Sequence, residues 1–228
     1  MKNQYFGDTR DLFKYDLALR ILEGVPSLRS FTFVPMLTPD DGSGDGGRVN
    51  HGKAKAGHRN TALVQYLEEC IRDNRRNIRE IGPFFRERGI TVHIHGPGFS
   101  HRERAGYFET IPASWLRDSL VFLDPDVGLG VARPTEKHLL FPEVEALAGR
   151  LGGASVLMIF QFFPRVERQA YLDERIRDLR EIALEGIAAI ADTQVAFFFL
   201  GREPGVVEGI RELLAGYREE YPHLIVTP

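Results

Sequence analysis

Apolar residues recur along the chain with two alternating periods. In "GDTRDLFKYDLALRILEGV", Leu12, Phe13, Leu17, Leu19, Ile21 and Leu22 follow mostly helical spacing, and Gly24 supplies a stop. "SFTFVPML" is a short β-branched and aromatic run and predicts a strand. A long helix is expected from about Asn60 to Arg88, with Leu63, Tyr66, Leu67, Ile71, Ile78 and Phe85 on one side. "ITVHIHG" and "SLVFLD" read as strands, "FPEVEALAGRL" as a helix and "ASVLMIFQFF" as a further strand. "RVERQAYLDERIRDLREIALEG" is a charged amphipathic helix. "QVAFFFLG" then predicts a strand, "VVEGIRELLAGYREEY" a helix and "HLIVTP" a last short strand.

Strands that are apolar throughout, separated by helices, must be buried on both faces, as in a parallel sheet covered on two sides. The expectation is one α/β domain over residues 1–228, built on an open, mainly parallel, doubly wound sheet. Such sheets bind ligands outside the carboxyl ends of their strands. Two loops stand there. Residues 39–58, "PDDGSGDGGRVNHGKAKAGH", hold six glycines and almost no large apolar group, so a mobile loop without a core anchor is expected. "DPDVGLG" ends the "SLVFL" strand, and if the two strands are neighbours the loops share one crevice.

Each loop has its own chemistry. Gly42, Gly44, Gly46 and Gly47 permit close backbone approach to a ligand, while Asp40, Asp41 and Asp45 can accept hydrogen bonds or hold a divalent metal. Three carboxylates and the lack of a G-K-[ST] ending argue against a nucleotide-triphosphate loop. Pro125 stiffens the turn between Asp124 and Asp126. Asp8 is a candidate helix N-cap with Asp11 in the first turn, and Lys14 follows one turn on. Gln161 interrupts an apolar strand, so its amide is either satisfied by backbone or faces a ligand. Phe162 and Arg165 follow at the strand's carboxyl end, where an aromatic ring can stack on a flat substrate.

Composition narrows the field further. The chain is 43% hydrophobic and 27% charged with a net charge of −3, so it is no general polyanion binder. Arg72, Arg75, Arg76 and Arg79 would form a local basic helix face, read as solvated. Mean hydropathy is −0.21, and the longest strongly apolar run, about ten residues, is too short to span a bilayer. No apolar signal segment opens the sequence, and the lone Cys70 offers no disulfide framework, so a cytoplasmic location is expected. His93 and His95 share one side of a strand without a third metal ligand nearby. Neither a G-x-S-x-G elbow nor H-E-x-x-H occurs, which leaves nucleophilic hydrolysis without support.

"NQYFGD" near the start and "DPDVGL" at 124–129 resemble the motifs of a bacterial family to which no activity is attached. The order of pieces also resembles that of the ribosomal-RNA adenine-N6 methyltransferases and, more loosely, the three-Cys-motif partner proteins. "DLFKY" stands where that methyltransferase family has D-V-L-K-H, "TPDDGSGDGG" at its glycine-rich loop, and "LDPDVG" at D-P-P-Y. Asp126 and Val127 replace the second proline and the tyrosine.

This resemblance implies a class I methyltransferase-like, Rossmann-like fold that uses S-adenosylmethionine to methylate an amine, with nucleic acid as one source of that amine. It assigns Asp124, Asp126 and Lys14 to catalysis, and Asp11, Asp40, Asp41, Gly42, Gly44, Asp45 and Gly46 to the cofactor. Gln161, Phe162 and Arg165 are assigned to the acceptor. The alternative from the carboxylates alone is a phosphodiesterase or nuclease holding Mg2+ on Asp8, Asp40, Asp41, Asp45, Asp124 and Asp126. A non-catalytic binding or regulatory module on the same fold is the third reading.

Overall fold

Asp8 opens the first helix, α1 (Thr9–Gly24), as expected: its Oδ1 accepts the Arg10 and Asp11 amides at 2.8 and 3.1 Å. The chain continues through β1 (Ser30–Val34), α2 (Thr61–Arg72), α3 (Ile81–Arg86), β2 (Thr91–Ile94), α4 (Arg104–Glu109) and β3 (Ser119–Leu123). Next come β4 (Gly128–Leu129), β5 (His138–Leu139), α5 (Phe141–Arg150), β6 (Val156–Phe162) and α6 (Arg168–Arg180). The last elements are β7 (Gly186–Ala191), β8 (Val195–Gly201), α7 (Pro204–Glu220) and β9 (Ile225–Thr227). The structure, a computed structural model, describes residues 1–42, 46–47, 49–51, 55–130, 133–182 and 186–227.

Seven strands form one sheet in the order β2-β1-β3-β6-β8-β7-β9. The first four are mutually parallel; β8 runs against β6, β7 against β8 and β9 against β7. The architecture is therefore α/β with a mostly parallel central sheet, and an antiparallel edge completes it. Strand alternation sorts the core into two layers. Phe31, Phe33, Phe122, Met158, Phe160, Phe197 and Phe199 pack on one face with α1, α2, α3 and α7. Val121, Leu123, Leu157, Ile159, Phe198 and Leu200 pack on the other with α4, α5 and α6. Among the described residues, no helix is long and apolar enough to cross a membrane.

Several expectations need correction. The helix expected from Asn60 to Arg88 breaks after Arg72. Asn74 takes a left-handed φ of 54°, and Arg75 donates its amide to the Cys70 carbonyl at 2.7 Å, a helix-ending turn. Arg72, Arg75, Arg76 and Arg79 therefore share no helix face. The expected helix over 165–186 spans only Arg168–Arg180, and β7 follows it. β7 and β8 form a hairpin around Asp192, whose Oδ1 accepts the Gln194 and Val195 amides at 2.6 and 2.8 Å. His95 places Nε2 3.1 Å from the Tyr107 carbonyl oxygen, and His93 stacks on Trp115 at 4.7 Å between ring centroids.

The loop expected to lack an anchor has anchors among its described residues. His51 is buried, with Nε2 3.1 Å from the Gly7 carbonyl oxygen, and Ala56 enters the core. Gly57 holds a φ of 86° against α1, where a Cβ would come within 2.8 Å of the Leu12 carbonyl oxygen. Gly44 and Asp45 lie outside the described residues, so their expected roles have no structural account.

Candidate functional site

β1 and β3 are in register from Ser30 opposite Ser119 to Val34 opposite Leu123, so the chain leaves both strands at one level. Asp124 donates its amide to the Val34 carbonyl at 3.0 Å. Beyond β1, Met36 adopts a left-handed φ of 45°, a conformation that costs a non-glycine residue about 1–2 kcal/mol. The turn brings Thr38 to Asp126, where Oγ1 donates to Oδ2 at 3.4 Å. The two loops expected to share a crevice do so.

There a cavity of about 340 Å3 opens, lined by residues that include Tyr5, Asp8, Arg10, Lys14, Gly46, Asp124, Asp126, Val127, Lys137, Phe160 and Phe162. Lys14 is its central buried cation. Nζ lies 2.8 Å from Asp124 Oδ2, 3.3 Å from Asp11 Oδ1 and 4.4 Å from the centroid of the Phe160 ring. Burial alone would lower the lysine's proton affinity, but the surrounding Asp124, Asp11 and Asp8 more than offset it and raise the pKa. A raised proton affinity beside two carboxylates suits Lys14 to an ammonium that holds them rather than to a proton acceptor.

Asp124 is 1% exposed. Burial pushes its carboxyl up from the ordinary value, and Lys14 pulls it partly back. Oδ2 is taken by Lys14, whereas Oδ1 is buried without a hydrogen-bond partner. Asp124 itself lines the cavity, and a buried acceptor oxygen without a donor is uncommon. Asp126 pairs with the Met1 amine.

Of the other expected site residues that are described, Gly46 and Phe162 line the cavity, whereas Asp11, Asp40, Asp41, Gly42, Gln161 and Arg165 do not. Asp11 lies behind Lys14 with no exposed surface, and its Oδ2 accepts the Gly7 amide at 3.0 Å. Asp41 pairs with Lys2 and accepts from Gln4 Nε2 at 3.0 Å, while Asp40 accepts the Gln4 amide at 3.1 Å. Those two carboxylates hold the N-terminal segment, and Gly42 makes a left-handed turn (φ 67°) with open space around it. Gly46 lines the cavity, but its close approach is to the chain itself: a Cβ there would meet the Gln4 carbonyl oxygen at 2.5 Å. Gln161 takes the backbone alternative: Oε1 accepts the Leu129 amide at 2.6 Å, and Nε2 donates to the Phe162 carbonyl at 2.5 Å. Arg165 lines a neighbouring open cleft with Phe162, Phe163, Arg168 and Arg10.

Arg10 and Lys137 were not singled out from sequence, and Arg76 only as one of a solvated basic face. Arg10 stands four residues before Lys14, so helical spacing alone puts both on one face; its guanidinium lies 4.5 Å from the Phe162 ring centroid. Arg76 clamps the glycine loop to the N-terminal segment, donating to the Gly46 and Phe6 carbonyls at 2.6 and 3.1 Å. Lys137 reaches the cavity because its carbonyl accepts the Val127 amide at 2.9 Å, a pairing with no local sequence signal.

For the metal reading, among the described residues no three His, Cys, Asp or Glu side chains converge as an ion would require. Lys14 and Lys2 sit on Asp124 and Asp41, where a cation would otherwise go. No protein-family model matches the chain, and no curated protein matches it.

Proposed function

We propose that the chain is a methyltransferase-like enzyme that methylates an amine held by Asp124, with S-adenosylmethionine as its cofactor. The observation that carries this reading is the buried Asp124, one oxygen fixed by Lys14 and the other unpartnered at a cavity outside the ends of β1 and β3. The cavity mixes carboxylates and aromatic rings with the chain's own cations, Asp126 facing the Met1 amine, Phe160 facing Lys14 and Phe162 facing Arg10, and a sulfonium would share these faces with them. Asp40, Asp41 and Gly46 would contribute indirectly, by fixing the N-terminal segment that forms one wall. The bound cofactor supplies an electrophilic methyl group.

The chain's own residues do the rest by positioning and charge. Asp124 Oδ1 accepts a hydrogen bond from the acceptor N–H, aligns the nitrogen lone pair and takes the proton as the nitrogen becomes bonded to carbon. Lys14 keeps the carboxylate in one orientation. Phe162 replaces the missing aromatic at Val127 as the surface against which a flat acceptor stacks. Arg10, Arg165 and Arg168 border the neighbouring cleft and suit phosphates flanking such an acceptor, which favours an amine carried by nucleic acid.

Isothermal titration tests the reading. The wild-type chain should bind S-adenosylhomocysteine, and Asp124→Asn should retain that binding while turnover on an amine acceptor drops about a hundredfold, on the order of 3 kcal/mol for one preorganised charge. A wild-type chain that shows no such binding overturns the proposal. A magnesium signal that disappears in Asp124→Asn would move the assignment to metal-dependent hydrolysis.

A further inference from the structure

We propose that Asp11 is a positioning residue for this reaction: acting through Lys14, it sets how much negative charge Asp124 presents to the cavity. The inference rests on the methyl-transfer reading for its reaction and on side-chain geometry for its electrostatics. Asp11 is fully buried, does not line the cavity and comes from α1, whereas Asp124 comes from the end of β3. Lys14 joins them, at 3.3 Å from Asp11 Oδ1 and 2.8 Å from Asp124 Oδ2. Anchoring the Gly7 turn needs only one Asp11 oxygen, Oδ2, and the other is turned to the ammonium.

Charge accounting gives the arrangement its purpose. Above the Asp11 midpoint, before the reaction, one ammonium holds two carboxylates. When Asp124 Oδ1 takes the acceptor's proton, Asp124 becomes neutral, and Lys14 keeps Asp11 as its counterion. With no Asp11, the same proton transfer would leave a buried ammonium without its counterion, and an uncompensated buried charge is strongly destabilising. Asp11 therefore raises the proton affinity of Asp124, through its own negative charge and by keeping Lys14 paired after the transfer.

Among the described residues, the groups facing this trio come from three elements. Asp8 and Tyr15 come from α1 and its cap, the Met1 amine and the Gly7 amide from the N-terminal segment, and Asp126 from the loop after β3. Burial, opposed by Lys14, leaves the Asp11 carboxyl pushed up to about 7, so its charge changes near neutrality.

Carboxyl-carbon NMR titration of the full chain tests the coupling. In the wild type, the Asp124 resonance should show an inflection at the Asp11 midpoint near neutral pH. In Asp11→Asn, which keeps an oxygen for the Gly7 amide, the Asp124 midpoint should fall by about one unit, a tenfold loss of proton affinity. The acid limb of methyl transfer should shift with it. An Asp124 signal that stays flat through the Asp11 titration, or the same Asp124 midpoint in a folded Asp11→Asn variant, overturns the proposal. The wild-type measurement decides the matter even if the variant fails to fold. Coupling without S-adenosylhomocysteine binding would overturn the methyl-transfer reading while supporting charge control of Asp124 by Asp11.

Discussion

An aspartate with no exposed surface exchanges protons with the solvent on different terms from the same residue in an unfolded chain. Asp11 moves from 3.8 to about 7 because burial disfavours its charge. Across that interval the folded chain holds a proton that the unfolded chain has released, so stability falls as pH rises from about 4 to about 7. Burial raises Asp16 and Asp124 as well, which adds to the same trend. Asp11→Asn should remove its share: melting temperatures followed from pH 4 to 8 should fall less steeply in the variant, and parallel curves would show that Asp11 contributes nothing. At this scale the acidic and basic positions were legible where a helix or strand end dictated them. Asp8 and Asp124 lie where capping and the strand-end rule put them, and Lys14, open from sequence between solvent and the crevice, takes the crevice. Which of the two carboxylates on Lys14 lines the cavity was not legible, because that depends on how α1 is rotated against β3.

Elements were legible when their apolar runs were long. β1, β3, β6 and β8 all stand where the pattern places them, since a strand buried on both faces is mostly apolar and carries few polar positions to blur it. β7, "GIAAIA", was missed because alanines and isoleucines suit a helix as well as a strand; its only signal is the Asp192 turn that follows. β4 has two residues and no pattern at all. It is held to the end of β6 by Gln161 and by the Phe162 amide, which donates to the Val127 carbonyl at 2.8 Å. Gly128 permits this approach with a φ of 134°, and a Cβ there would come within 2.3 Å of Gln161 Oε1. Gln161→Leu should therefore strand the buried Leu129 amide at a cost of about 1–3 kcal/mol. Urea denaturation should report that loss, and hydrogen exchange should show Leu129 freed early. Unchanged stability and a protected Leu129 amide would mean that other contacts hold β4.

At the scale of the whole molecule, the sheet separates two cores, and only one of them supports the cavity. Phe197 and Phe198 are neighbours on β8, both without exposed surface, yet they point to opposite faces. Phe197 meets Phe13 of α1 at 4.9 Å and Phe160 at 5.7 Å, and the Phe160 ring lies beneath Lys14. Phe198 packs in the layer of α4, α5 and α6, away from Lys14. Truncating either ring to alanine should cost about 3–5 kcal/mol, since each leaves a cavity in a close-packed core. The consequences for the site should differ. Phe197→Ala releases Phe160 to settle into the vacated space, so the Lys14 Cε protons should lose the upfield shift that the ring imposes. Phe198→Ala should leave those resonances where they are in the wild type despite a comparable drop in stability. Equal shifts in both variants would show that the sheet transmits strain from either core, and that the two layers are not independent supports. A shift only in Phe197→Ala would tie the geometry of the Lys14–Asp124 pair to the aromatic layer beneath it.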